Sequence, residues 1–291
     1  MSRSFRYLAL GLLLTTATAR AQESTSASAV AGTMPNSDQT YCDGIVTTKP
    51  VPAGTYVISG SDSDEATVWS EGNLVFLNRG ADQGVKVGDE FLVSRPISDP
   101  VKIPWFTGQE SLTKAMGTTY EDEGRLRVVA VQKTTATAQV THACNYIQRG
   151  DIAQPFSPRP APSFKAERLD TLAQPNGKAK AMIVTTRGFG ETAGTDTIVY
   201  VNLGSVQGVK VGDYFRVFRY QGNDHQVPYQ TAGTQYELFG FGSTPRPYTV
   251  AELPREILGE GMVLRVAPNA ATVLITHSER ELYVGDYVEL E

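Results

Sequence analysis

Two stretches of this chain carry nearly the same text. Residues 74–95 read LVFLNRGADQGVKVGDEFLVSR, and residues 198–219 read IVYVNLGSVQGVKVGDYFRVFR. Gly80, Gly84, Gly88 and Arg95 recur 124 residues later as Gly204, Gly208, Gly212 and Arg219, and the string GVKVGD is identical in both copies. A second block, residues 124–151, recurs as residues 259–286 at an offset of 135, matching Thr141-His142 with Thr276-His277 and Gly150-Asp151 with Gly285-Asp286. The larger offset means that the second copy carries the longer connection between its blocks. Upstream, Tyr56-Val57-Ile58 and Met182-Ile183-Val184 stand as equivalent first strands. Repetition on this scale makes each copy one folding unit, so the chain is expected to hold two small domains of one kind. The units run over 54–153 and 180–291, and the linker at 154–179 opens with QPFSPRPAP, a composition for extended, semi-rigid chain.

Each unit reads as strands. Residues 74–77, 91–93 and 215–218 are short, rich in β-branched or aromatic side chains, and bounded by Gly, Asn and Asp. Residues 126–131 and 262–266 add a strand that pairs as a hairpin with 135–140 and 271–276, and a last strand begins at Asp151 or Asp286. Thr107-Gly108-Gln109-Glu110 and Thr249-Val250-Ala251-Glu252 match a capping box, which places a short helix in each long connection. The expected fold is all-β: two tandem small antiparallel β-barrel or sandwich domains with short helical turns in their connections.

Gly-Asp precedes a strand four times, at Gly88-Asp89, Gly150-Asp151, Gly212-Asp213 and Gly285-Asp286. A phosphate loop would need Lys-Ser/Thr and a following helix. A turn needs only what is present: Gly for a positive φ, and Asp to accept from nearby backbone amides. These eight residues are therefore read as structural turns.

A strand ending in Asn-x-Gly, then Gly-Val-Lys-x-Gly-Asp-x-Phe-x-Val, then a hairpin closing on Gly-Asp resembles the C-terminal β-domain of flagellar assembly protein T. Similar small β-domains occur in exported bacterial envelope proteins. The resemblance covers both units and implies a periplasmic, non-enzymatic assembly or scaffold part. It carries over no functional residue.

The first residues read as an address. Arg3 and Arg6 precede the apolar run YLALGLLL, and Ala19-Arg20-Ala21 forms an Ala-x-Ala site, the order of a secretory signal peptide over 1–21. The apolar run is too short to span a bilayer. Cleavage removes three arginines and no acid, taking the net charge from -5 to -8 on 270 residues. That acidity argues against non-specific nucleic-acid binding, which needs a basic field. The following Ser/Thr/Ala/Gly-rich stretch, 22–40, is expected to be disordered within a flexible N-terminal segment, 22–53. Cys42 and Cys144 are the two cysteines, and export favours one disulfide between them over two separately buried thiols.

No His-Glu-x-x-His, Gly-x-Ser-x-Gly or Cys-x-x-Cys motif occurs. His142 and His277 fall at equivalent strand ends of different units, and Asp62-Ser63-Asp64-Glu65 lacks the Gly and distal Glu of a calcium loop. No catalytic residue, metal site or cofactor is expected. Function is expected in the long connections, which hold Trp105 and Phe106 in the first unit and Tyr229, Tyr236, Phe239, Phe241 and Tyr248 in the second. Such connections are rarely idle in a small domain, and aromatic rings supply much interface energy. The expectation is an exported, non-enzymatic protein of the bacterial periplasm or outer envelope that contacts envelope protein partners through these loops. Two alternatives stand beside it: a module that stacks the same rings on peptidoglycan or another envelope polysaccharide, and aromatic connections that fold back to cover their own barrel.

Overall fold

The protein is described by a computed structural model over residues 34–62, 64–98, 102–166, 169–221 and 253–291, with the backbone alone of 236–238 and 241–243. The chain divides into two compact units, Met1–Ala31 and Gly32–Glu291, and every described residue belongs to the second. The signal-peptide reading of 1–21 lies outside the described residues. Among the described residues no helix is long and apolar enough to cross a membrane.

The fold is all-β. Helix α1 (Ser37–Tyr41) and strand β1 (Ile45–Thr47) come first. The first half follows: β2 (Val57–Gly60), β3 (Val68–Trp69), β4 (Leu74–Leu77), β5 (Glu90–Ile97), α2 (Gln109–Met116), β6 (Thr118–Val131), β7 (Ala136–Ala143), β8 (Ile147–Gln148) and β9 (Ile152–Pro155). The second half holds β10 (Lys180–Thr186), β11 (Thr192–Ala193), β12 (Ile198–Val201), β13 (Tyr214–Gln221), β14 (Tyr236–Leu238), β15 (Phe241–Ser243), β16 (Leu253–Val266), β17 (Ala271–Ser278), β18 (Leu282–Tyr283) and β19 (Tyr287–Leu290).

The second half is a closed antiparallel barrel in the order β10-β12-β17-β16-β13-β19, with β19 pairing back onto β10. The first half runs β2-β4-β7-β6-β5-β9 and curls until the Tyr56–Ile152 bridge brings β9 beside the start of β2. Position by position the two orders match. Alternation explains the closure, since inward residues such as Val75, Leu77, Val93 and Leu126 are fully buried while their neighbours face outward. Closure also removes the free edges that a short sheet would expose.

Three expectations need correction. First, β6 and β16 are 14 residues each, starting well before residues 126 and 262. Their early halves carry Glu121-Asp122-Glu123 and Arg255-Glu256, charges that mimic a loop until the fold pairs them. At Gly124 and Gly259 these strands pass so close to the carbonyls of His142 and His277 that a Cβ would collide. Second, α2 begins after Gly108 with no side-chain cap, so Thr107 does not form a capping box, and the second box at 249–252 lies outside the described residues. Third, the segment from residue 34 to 53 is not loose. Asn36 and Gln39 cap α1 reciprocally, β1 pairs with β6, and Val46 is buried.

The N-terminal segment is held covalently as well, because Cys42 and Cys144 form a disulfide. Among its described residues the linker after β9 has no helix or strand, yet it is packed rather than free. Lys165 donates from its backbone to the Tyr214 hydroxyl, and Asn176 donates to the Leu290 carbonyl.

Candidate interaction site at the joint between the halves

The repeated turns are built alike. Asp89 accepts from the Lys86 amide and Asp213 from the Lys210 amide, each at 2.8 Å. Asp151 accepts from the Gln148 amide at 2.8 Å and Asp286 from the Tyr283 amide at 2.7 Å. Gly88, Gly150, Gly212 and Gly285 have φ of 91°, 89°, 89° and 101°, where a side chain is strained. Asn78 and Asn202, from Asn-x-Gly, each accept from a first-strand amide, Tyr56 or Met182, at 2.8 Å. Arg95 and Arg219 then grip Asp151 and Asp286 with two hydrogen bonds apiece, the geometry that makes guanidinium–carboxylate pairs strong. Each Asp and Asn named in these turns thus has a local structural partner.

The connection after β5 crosses to the other half. Trp105 donates its indole N–H to the Val284 carbonyl at 3.0 Å, and its ring meets Tyr283 edge-on at 6.0 Å. Phe106 is buried in the core cluster of the second barrel, and a Cβ built on Gly285 would stand 3.5 Å from its ring. Gln109, buried on α2, donates to the Val184 carbonyl at 3.0 Å, and Met116 joins Tyr200, Leu264 and Leu274 in a second apolar cluster. Trp105 and Phe106 are therefore engaged within the chain, on the second barrel rather than on their own half, with Phe106 buried and Trp105 partly exposed. A cavity of about 780 Å³ flanks this arm, lined among others by Ile97, Phe106, Gln109, Lys114 and Thr119. The side chains of Tyr229, Tyr236, Phe239, Phe241 and Tyr248 lie outside the described residues. The backbone at 236–238 and 241–243 forms the antiparallel pair β14–β15.

Four charged residues from four parts of the chain meet behind the arm. Asp43 follows the disulfide, Asp122 lies on β6, Arg159 is in the linker and Arg265 is on β16. Arg265 Nη1 is 2.9 Å from Asp122 Oδ2 and 3.5 Å from Asp43 Oδ1, and Arg159 Nη2 is 2.9 Å from Asp43 Oδ1. Gly44 donates its amide to Asp122, the Tyr200 hydroxyl donates to the Asp43 carbonyl, and Thr272 donates to the Gly44 carbonyl. Both aspartates are buried. Burial pushes the Asp43 carboxyl up to about 7 against the opposing pull of Arg265 and Arg159, with Asp122 adding to the rise.

Glu123, next on β6, is also buried and lies 3.2 Å from Arg95, yet neither of its oxygens accepts a hydrogen bond among the described residues. Burial pushes its carboxyl from 4.5 to about 7 although Arg95 pulls the other way. Because the folded pKa lies above the unfolded one, this group's favourable contribution is complete below about pH 4 and is lost as pH rises through 7. The expected result is a fall of about 3 kcal/mol in unfolding free energy across that window from this residue. The equivalent position in the second half is Leu258, fully buried. Glu123→Leu should therefore flatten the pH dependence measured by urea unfolding at pH 4.5 and 8, and an unchanged slope would refute the assignment.

None of the four joint residues was legible as a site, because their partners are far away in sequence. The one available signal was the run Glu121-Asp122-Glu123 just before the repeated Gly124. His142 lies 3.5 Å from Cys42 Sγ and 3.1 Å from Asp38, whereas His277 pairs with Glu279 at 2.9 Å. The fold and this site together define an all-β chain, a closed six-stranded barrel beside a sheet of matching strand order, whose halves are joined by a docked arm and an ionic cluster around two buried aspartates. No family model and no curated protein matches it.

Proposed function

We propose that the protein is a non-enzymatic exported envelope protein, a structural or interaction module that binds envelope protein partners through the aromatic connection of its second half. The observation that carries this reading is the use of the matching connection in the first half. That connection reaches onto a neighbouring barrel and sets two aromatic residues, Trp105 and Phe106, against a strand turn. The longer second connection holds more aromatic residues in the equivalent place in the repeat. By analogy it docks on a β-rich turn of another protein. Anchoring aromatics of this kind carry a large share of binding energy.

Replacing Phe239 and Phe241 together with Ser should reduce partner recovery by about tenfold or more in cross-linking from intact envelopes, since two lost aromatic anchors cost roughly 2 kcal/mol or more. The circular dichroism spectrum and thermal midpoint should stay unchanged. Full recovery by the variant would defeat the reading, and so would equal retention of wild-type protein by bare cell-wall sacculi, which would favour the polysaccharide alternative.

A further inference from the structure

The fold gathers a metal-ligand set that the spacing of these residues along the chain conceals. Cys42 comes from the end of α1, while His142 and Cys144 come from the end of β7. One ligand atom from each of the three lies within 4.8 Å of the other two. Asp38, exposed on α1, approaches the His142 Nε2 at 3.1 Å and offers a fourth donor. Two thiolates, an imidazole and a carboxylate form a donor set suited to Zn²⁺. We propose that when the Cys42–Cys144 disulfide is reduced, these residues hold one zinc ion, so that the N-terminal segment stays fastened to the first half in either redox state.

The geometry permits the exchange. Tetrahedral zinc with Zn–S near 2.3 Å needs its two sulfurs roughly 3.7 Å apart. The Cα atoms of the pair stand 5.5 Å apart, a separation that leaves rotation about the two Cα–Cβ bonds to set the distance between the sulfurs. Cys42 is buried, whereas His142 and Cys144 are partly exposed and Asp38 is exposed, so the ion has a way in. The chemistry balances. A phosphine or dithiol reductant gives two electrons to the disulfide and is itself oxidised, two thiols form, and Zn²⁺ displaces their two protons. The second half offers an internal contrast: Glu279 stands where the repeat would place Cys144, beside His277, and no cysteine lies near it.

The test uses the full chain. Protein reduced with a phosphine is titrated with Co²⁺ and then with Zn²⁺, and the oxidised chain is titrated in parallel. The expected result is one Co²⁺ per reduced chain, with a thiolate-to-cobalt charge-transfer band and tetrahedral d–d bands that Zn²⁺ abolishes. The oxidised chain should show neither band. Cys42→Ser should remove tight binding. His142→Ala should weaken it by at least about tenfold while keeping the charge-transfer band, and it keeps the test decisive if the cysteine variant misfolds. Absence of stoichiometric binding to the reduced chain would overturn the proposal. Equal binding by the oxidised chain would do so too, as would affinity changed less than tenfold in His142→Ala.

Discussion

Opening the Cys42–Cys144 disulfide in metal-free buffer should lower the free energy of unfolding by about 4 kcal/mol, one of the two largest effects expected for this protein. The bond links residues 102 apart in sequence, and in the chain-entropy model a crosslink closing about 100 residues removes on the order of 4–5 kcal/mol from the unfolded ensemble. For a chain of this size that corresponds to a drop of roughly 8–16 °C in thermal midpoint. The physical setting keeps the full value, because the bond does more than close a loop. Cys42 is immediately followed by Asp43 and Gly44, whose backbone carbonyls take the Tyr200 and Thr272 hydroxyls of the second barrel. Loosening the tether frees the segment that bridges both halves. The measurement is urea unfolding of wild-type and Cys42→Ser/Cys144→Ser protein, both with chelator present. A difference under 1 kcal/mol would show that packing alone holds the segment.

Arg265→Met is expected to cost about 3–5 kcal/mol at pH 8, since it leaves Asp43 and Asp122 buried with Arg159 as their remaining guanidinium among the described contacts. The cost should depend on pH in a definite direction. The Asp43 carboxyl already sits near 7 because burial disfavours its charge. In the variant it lacks one of its two opposing cations, so it holds its proton to still higher pH. At pH 5 the carboxyl is neutral in both proteins and less charge is stranded, so the loss there should be clearly smaller. Pairing the change with Asp43→Asn should recover part of the stability at pH 8, a coupling that a double-mutant cycle reads directly. Equal losses at pH 5 and pH 8, with no recovery in the double variant, would mean that Arg265 acts through its aliphatic stem alone. The two effects should also fall short of additive when combined, because the disulfide positions the same Asp43 that Arg265 holds.

The repeated turns were legible for a physical reason. In the Gly-Asp turns Asp accepts from an amide three residues back, and Gly supplies the positive φ, so the whole interaction fits within four residues. The constant offsets between copies made it readable that the two halves share one plan, while the strand order itself came from the structure. The disulfide was legible because two cysteines admit a single pairing. What misled was charge. Glu121-Asp122-Glu123 looks like solvated chain, yet Asp122 and Glu123 are buried inside a 14-residue strand.

The sequence by itself determined the local plan of this protein: strands of matched length order, turns at fixed offsets, and one covalent closure. Only the tertiary structure decided how the halves are joined. The contacts that do so link residues far apart in sequence, by 116 for Arg159 with Asp43, 143 for Arg265 with Asp122 and 179 for Trp105 with Val284. No periodicity or spacing rule reaches that far. A charge or an aromatic ring in the sequence has no assigned partner until folding removes water from around it, and here folding turned one aromatic connection inward and set two buried aspartates against two partly exposed arginines.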